Sequence, residues 1–117
     1  MENVAIDTTE QQAALFAALA DPTRLKLVKL LSRQREPHAL CVNALAGLLG
    51  VSQSAVSQHL RVLRSAGLVR GQRRGYRVHY FVNSEVVARI RDLVSDALDV
   101  ERSIGGQSCG DSCQKEG

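Results

Sequence analysis

The sequence predicts a mainly α-helical domain with one two-stranded β-hairpin, and two adjoining patterns carry this prediction. Residues 50–68 contain a turn at a glycine, a helix with one apolar and one polar side, and a second glycine where that helix stops. Residues 68–82 contain two β-prone runs on either side of Arg73-Arg74-Gly75, which is typical of a hairpin.

Two helices are predicted before these patterns. Asp7 and Glu10 have the spacing of a capping box, which predicts a first helix that runs through Leu19. Asp21-Pro22 places an N-cap residue before a proline at the first helical position, and the apolar spacing continues this second helix to about Ser32.

A short third helix and the helix after it together predict a helix-turn-helix. The third helix ends at Gly50, which lets the turn adopt a left-handed backbone, and Ser52 is a good N-cap for the next helix. The apolar side of that next helix carries Val56, Leu60 and Leu63. Its other side carries short hydrogen-bonding side chains and an arginine, which suits a helix in the major groove of DNA: Ser54, Ser57, Gln58 and Arg61. An ordinary amphipathic surface helix is the alternative for this stretch alone.

The hairpin is rich in arginine, with four arginines in eight residues, 70–77. Such charge also protects solvated edge hairpins from aggregation. Because it directly follows a candidate recognition helix, a wing that grips phosphates is the favoured interpretation, and the fold predicted is a winged helix-turn-helix. Alternation along the second strand predicts two faces: Val78, Tyr80 and Val82 on one, Arg77, His79 and Phe81 on the other.

Ser84 is predicted to cap a long last helix that ends near Glu101. One broad side of this helix is apolar: Val86, Ile90, Leu93, Val94, Ala97 and Leu98. Since no further element follows to cover that side, we predict a homodimer through the first and last helices. We expect one domain at residues 1–102 and a flexible, small-residue tail at 103–117.

Composition limits the class of protein. The 117 residues predict one domain, and the net charge of +3 fits a nucleic-acid partner. We find no export signal and no apolar run that spans a bilayer, so the three cysteines are expected to be reduced thiols in the cytoplasm. No phosphate loop, paired carboxylates or Ser-His-Asp arrangement is present, and an enzyme is not expected.

Several of these segments together resemble the ArsR/SmtB family of winged helix-turn-helix repressors over roughly residues 10–100: Ala20-Asp21-Pro22-Thr23-Arg24, Ser57-Gln58-His59-Leu60, Ala66-Gly67-Leu68 and the arginine hairpin. The resemblance implies a homodimer on a palindromic double-stranded DNA operator that an inducer releases. The candidate DNA-binding residues are Ser52, Gln53, Ser54, Ser57, Gln58, His59, Arg61, Arg73, Arg74 and Arg77. His79 is expected to be structural.

The positions of the cysteines indicate which kind of inducer the protein binds. In many metal-sensing members the helix before the recognition helix opens with Leu-Cys-Val-Cys-Asp-Leu. The matching segment here keeps the first cysteine as Cys41, but Asn43 and Ala44 replace the second cysteine and the aspartate. The family's zinc site on the last helix is not expected, because that helix carries Asp92, Asp96 and Asp99 without a histidine.

Cys109 and Cys113 are candidates to complete a three-thiolate site with Cys41. Three thiolates suit arsenite or antimonite, and also cadmium or lead, whereas zinc would need a fourth ligand. His38 is a candidate for that ligand, but a solvated loop residue is the favoured interpretation of this histidine. The function predicted is therefore a DNA-binding repressor that a thiophilic metal or metalloid ion releases from its operator, as in arsenic resistance.

Three alternatives stay open. A redox or persulfide sensor would use Cys41 as the attacked thiolate and a tail cysteine to resolve it. An architectural DNA-binding protein would use the same basic wing without an inducer. In the third alternative, Cys41 is a small buried apolar side chain, and Cys109 and Cys113 belong to a disordered tail that has no role.

Overall fold

The computed structural model describes residues 8–34, 39–99 and 101, and within them the predicted winged helix-turn-helix is confirmed. The helices are α1 (Thr9–Leu19), α2 (Pro22–Arg33), α3 (Val42–Leu49), α4 (Gln53–Ser65) and α5 (Ser84–Ala97). The strands are β1 (Leu40–Cys41), β2 (Val69–Arg74) and β3 (Arg77–Val82). None of the helices in these ranges has the length and apolar character needed to cross a membrane.

The capping box of α1 lies one residue later than predicted. The Thr8 hydroxyl accepts a hydrogen bond from the backbone N–H of Gln11, and the Gln11 side chain accepts one from the Thr8 N–H. The prediction of Asp7 and Glu10 was therefore wrong for Glu10, which lies in the first turn, while Asp7 lies outside the described residues. Both pairs have the same spacing, and Thr-x-x-Gln provides the reciprocal bonds.

Helix α5 also differs from its prediction at both ends. Asn83 is the N-cap, because its side-chain oxygen accepts a hydrogen bond from the N–H of Val86, and Ser84 is already the first helical residue. The helix ends at Ala97 rather than near Glu101. The helix is therefore shorter than predicted.

The core is built from all five helices and the hairpin. Its seven most deeply buried side chains are Leu15, Leu27, Leu45, Val56, Leu60, Leu63 and Leu68. The three members from α4 confirm the predicted apolar side of that helix. Because this side is fixed in the core, the polar side of α4 is held toward solvent, and Gly50, with φ of 68°, forms the left-handed turn before it.

Strand β1 adds a third strand to the predicted two-stranded hairpin. The antiparallel sheet has the order β1-β3-β2, with Leu40 opposite Tyr80 and Cys41 opposite His79. Gln34, just after α2, fixes this addition: its side-chain nitrogen donates to the carbonyl of Tyr80 at 2.6 Å, and its oxygen accepts from the N–H of Leu40 at 2.8 Å. The start of α3 is thereby attached to the wing.

Candidate DNA-binding surface and cysteine site

The polar side of α4 is exposed as a DNA-reading helix requires. Gln53, Ser54, Ser57, Gln58 and Arg61 are all exposed. Ser52 caps the helix through a 3.0 Å hydrogen bond from the N–H of Ala55. The chemistry of this surface, amides and hydroxyls followed by a guanidinium, matches the donors and acceptors on base edges in the major groove.

His59 has contacts that the sequence did not indicate. Its Nδ1 lies 3.3 Å from Nη1 of Arg24 and 3.9 Å from a carboxylate oxygen of Asp21, at the junction of α1 and α2. Nε of Arg24 in turn donates to the carbonyl of Ala18 at 2.7 Å. The predicted DNA contact of His59 stays a prediction, and these contacts add a role in anchoring α4.

Asp21 is the charged centre of this junction. Its carboxylate accepts hydrogen bonds from the N–H groups of Arg24 and Thr23. The N–H of Arg24 is the main reason that the pKa of Asp21 lies below its ordinary value. Burial opposes this effect, and the charges of His59 and Arg24 add to it. The carboxylate therefore stays ionised where α2 begins, next to the recognition helix.

The wing holds its arginines on two different faces. Alternation along β2 places Arg73 on the face of Val78, whereas Arg70 and Arg74 share the face of Phe81. The guanidinium carbons of Arg70 and Arg74 lie 5.0 Å and 5.2 Å from the centre of the Phe81 ring. A cation–π contact of this kind contributes about 0.5–1 kcal/mol at an exposed site, and it favours a position of the arginine side chain over the ring.

Cys41 is the N-cap residue of α3 and is a free, buried thiol with 9% of its surface exposed. The backbone N–H of Ala44 is the largest cause that lowers its pKa below the ordinary value for a thiol. Burial opposes this effect, and the N–H of Asn43 and the guanidinium of Arg77 reinforce it. These surroundings thus stabilise the thiolate more than those of an ordinary thiol, and the thiolate is the form that binds soft metals and attacks electrophiles.

A cleft of about 390 Å³ connects Cys41 with the recognition helix. It is lined by Cys41, Val42, Asn43, Gln53, Arg77, Val78 and Tyr80. Across it, the side-chain nitrogen of Gln53, the first residue of α4, donates to the side-chain oxygen of Asn43 at 2.9 Å. The cysteine, the start of the recognition helix and a wing arginine therefore border one space.

The other two predicted metal ligands, Cys109 and Cys113, lie outside the described residues, as does His38. Within residues 8–34, 39–99 and 101, no three His, Cys, Asp or Glu side chains are close enough to hold one ion.

Helices α1 and α5 leave apolar side chains exposed. Phe16 of α1 is 37% exposed, Val94 of α5 is 39% exposed, and Leu98, just after α5, is 72% exposed. The two helices contact each other. Exposed apolar side chains on contacting helices are typical of an interaction surface.

Comparison with known proteins agrees with this geometry. The sequence model of the bacterial regulatory protein arsR family matches residues 21–70. The chain is 43% identical to a transcriptional repressor SmtB homolog of Synechocystis over 83% of this chain and 70% of that protein. It is 37% identical to the arsenical resistance operon repressor of Escherichia coli, over 84% and 89% of the two chains.

A solved structure has the same fold. The homodimeric winged helix-turn-helix DNA-binding domain of a possible ArsR-family regulator from Mycobacterium bovis is 34% identical, with a TM-score of 0.62. The match covers 77% of this chain and 80% of that one.

Proposed function

The chain belongs to the arsR family of bacterial transcriptional regulators, and from this premise we propose that it is a homodimeric repressor that a thiophilic ion at Cys41 releases from a palindromic operator. The observation that carries the proposal is the shared cleft, in which a thiol with a lowered pKa lies beside the first residue of the recognition helix. A ligand at that thiol acts directly on the DNA-reading element.

DNA binding divides between two surfaces. The exposed side of α4, with Gln58 and Arg61, reads base edges in the major groove. Arg73, Arg74 and Arg77 of the wing bind phosphates, which adds affinity without sequence preference. The homodimer presents two copies of α4 to successive major grooves, and its interface is the apolar region of α1 and α5.

The ion is held by thiolates, with Cys41 as the ligand in the folded domain and Cys109 and Cys113 as the tail ligands. Arsenite or antimonite is the favoured inducer because three sulfur ligands suit it, and a relative is named for arsenical resistance. Cadmium and lead accept the same ligands.

Release requires that the cysteine site and α4 change together. In the free protein the N–H groups of Ala44 and Asn43 lower the pKa of the Cys41 thiol. When the sulfur shares its electron pair with a soft ion, it attracts these N–H groups less strongly, and the first turn of α3 shifts. The Asn43–Gln53 hydrogen bond passes that shift to α4. A typical coupling of about 1–3 kcal/mol changes operator affinity by roughly 5–150-fold.

A redox or persulfide sensor is the second candidate. The amide groups and Arg77 that favour the Cys41 thiolate also make it a better nucleophile toward electrophilic sulfur. In that case the Cys41 thiolate attacks the outer sulfur of a persulfide donor, which leaves as its thiolate. A tail cysteine then attacks Sγ of Cys41 and forms a disulfide with loss of hydrosulfide. The same repressor then responds to persulfide or oxidant instead of to an ion.

Variants of the two DNA-binding surfaces test the repressor assignment. Gln58→Ala and Arg61→Ala should each reduce discrimination between operator and random DNA, by about 1–3 kcal/mol for each base that the variant no longer recognises. The Arg73→Ala/Arg74→Ala double variant should weaken binding to both DNAs. Because the homodimer loses four arginines, the slope of log affinity against log salt concentration should fall in magnitude by about four, one for each phosphate that an arginine neutralises. Fluorescence anisotropy at several salt concentrations measures both effects.

Arg89→Ala, which removes an exposed arginine from α5, serves as the control and should leave the salt slope unchanged. A wing double variant with the slope and affinity of the unaltered protein would remove the wing from the mechanism.

A further inference from the structure

His79, in the middle strand of the sheet, has an unusual ring nitrogen. Nδ1 is buried and has no hydrogen-bond partner within the described part of the chain. Buried polar nitrogens in folded proteins are nearly always paired, and one left unpaired calls for an explanation such as a missing ion or water. The expected structural role of His79 does not account for this unpaired nitrogen.

The position of His79 connects it with the cysteine site. It stands directly opposite Cys41 in the antiparallel pairing of β1 and β3. Directly opposite residues of such a pair point to the same face of the sheet, with Cβ atoms about 4.5–5.5 Å apart. The Cys41 thiol and a ring nitrogen without a partner in the described ranges are therefore neighbours in one subunit.

We propose that Sγ of Cys41 and Nδ1 of His79 are two ligands of one site for a divalent cation of borderline softness, such as Cd²⁺ or Zn²⁺. Thiolate and imidazole together are ligands that these cations accept. The inference rests on the proposed ion sensing at Cys41 and adds a nitrogen ligand from the wing, so that the site joins β3 to the first turn of α3.

The donor chemistry distinguishes this pair from a set of thiolates alone. A neutral imidazole with its proton on Nε2 presents a lone pair at Nδ1, which is the unpaired atom. Arsenite prefers three sulfurs and gains little from an imidazole. His79 should therefore raise affinity for Cd²⁺ and Zn²⁺ without raising affinity for arsenite.

Cation titrations of the reduced full-length protein test the pair. His79→Gln should weaken Cd²⁺ binding, measured by competition with a chelator, at least about tenfold, because loss of even an outer partner of a ligand costs about 10–100-fold. Arsenite binding should not change. His59→Gln is the matched control for Cd²⁺ affinity, since the contacts of that histidine are with Arg24 and Asp21.

Imidazole ¹⁵N NMR of the unaltered protein gives a second measurement that does not depend on the folding of a variant. Addition of Cd²⁺ should shift the Nδ1 resonance of His79 and leave that of His59 in place. An unmoved His79 resonance, or a His79→Gln variant with undiminished Cd²⁺ affinity, would overturn the inference.

The Cys41→Ser variant distinguishes failure of the histidine ligand from failure of the proposed ion sensing at Cys41, on which the histidine ligand rests. If Cys41→Ser weakens Cd²⁺ binding while His79→Gln does not, only the histidine ligand is wrong. If Cys41→Ser binds both Cd²⁺ and arsenite like the unaltered protein, the ion-sensing function fails as well.

Discussion

Val94→Glu in α5 is expected to produce monomers with little affinity for the operator. Val94 is 39% exposed in the single subunit, so the glutamate is tolerated by the fold. In the proposed homodimer the same position is covered by the partner, and burying an unpaired carboxylate there costs several kcal/mol. A monomer presents only one α4 to the DNA and loses the second half-site. Sedimentation at micromolar concentration and operator titration measure the two effects.

Ser95→Glu provides the matched control, because it introduces the same charge at the next residue, outside the apolar stripe of α5. It should remain dimeric and bind the operator. A Val94→Glu protein that stays dimeric at micromolar concentration would show that the interface lies elsewhere on the molecule.

Cys41→Ser should retain operator binding and lose release by arsenite or cadmium. A serine hydroxyl preserves the size of the side chain but is not a soft ligand. The lowered pKa of the Cys41 thiol keeps the thiolate available at lower pH than for an ordinary thiol, and serine removes this group altogether. The substitution should abolish the 5–150-fold change in operator affinity that typical coupling provides.

The proposed role of the tail cysteines as ligands is tested separately. Cys109→Ser and Cys113→Ser should each blunt release without changing operator affinity. A chain that ends at Gly106 and still releases DNA at the usual inducer concentration would exclude the tail cysteines as ligands. If all three serine variants respond like the unaltered protein, thiol sensing is wrong.

The helices and the hairpin could be predicted because their signals are periodic and local. Val56, Leu60 and Leu63 repeat at helical spacing and are buried as that spacing requires. Alternation along the hairpin likewise placed Tyr80 on one face with Val78 and Val82, and Tyr80 is buried in the structure. Strand β1 has two residues, too few for any period, and its pairing depends on Gln34, which approaches from α2.

The finer features of the site depend on contacts between residues that are far apart in the sequence, and such contacts leave no local sequence pattern. The contact of His59 with Arg24 joins residues 35 positions apart, and the pairing of Cys41 with His79 joins two strands separated by the whole helix-turn-helix. The resemblance to the family's cysteine motif identified Cys41 as a candidate ligand. Only the sheet register shows that His79 is its neighbour, and only the ring contacts show that Phe81 orders Arg70 and Arg74.

An operator-release titration of the reduced, full-length protein tests the central claim most directly. The protein is bound to its operator and titrated separately with arsenite, antimonite, cadmium, lead, zinc and a persulfide donor. We predict release by arsenite or antimonite, or by cadmium or lead, at concentrations at which Cys41→Ser stays bound. Release by the persulfide donor alone, or equal release of Cys41→Ser by the ions, would contradict the account.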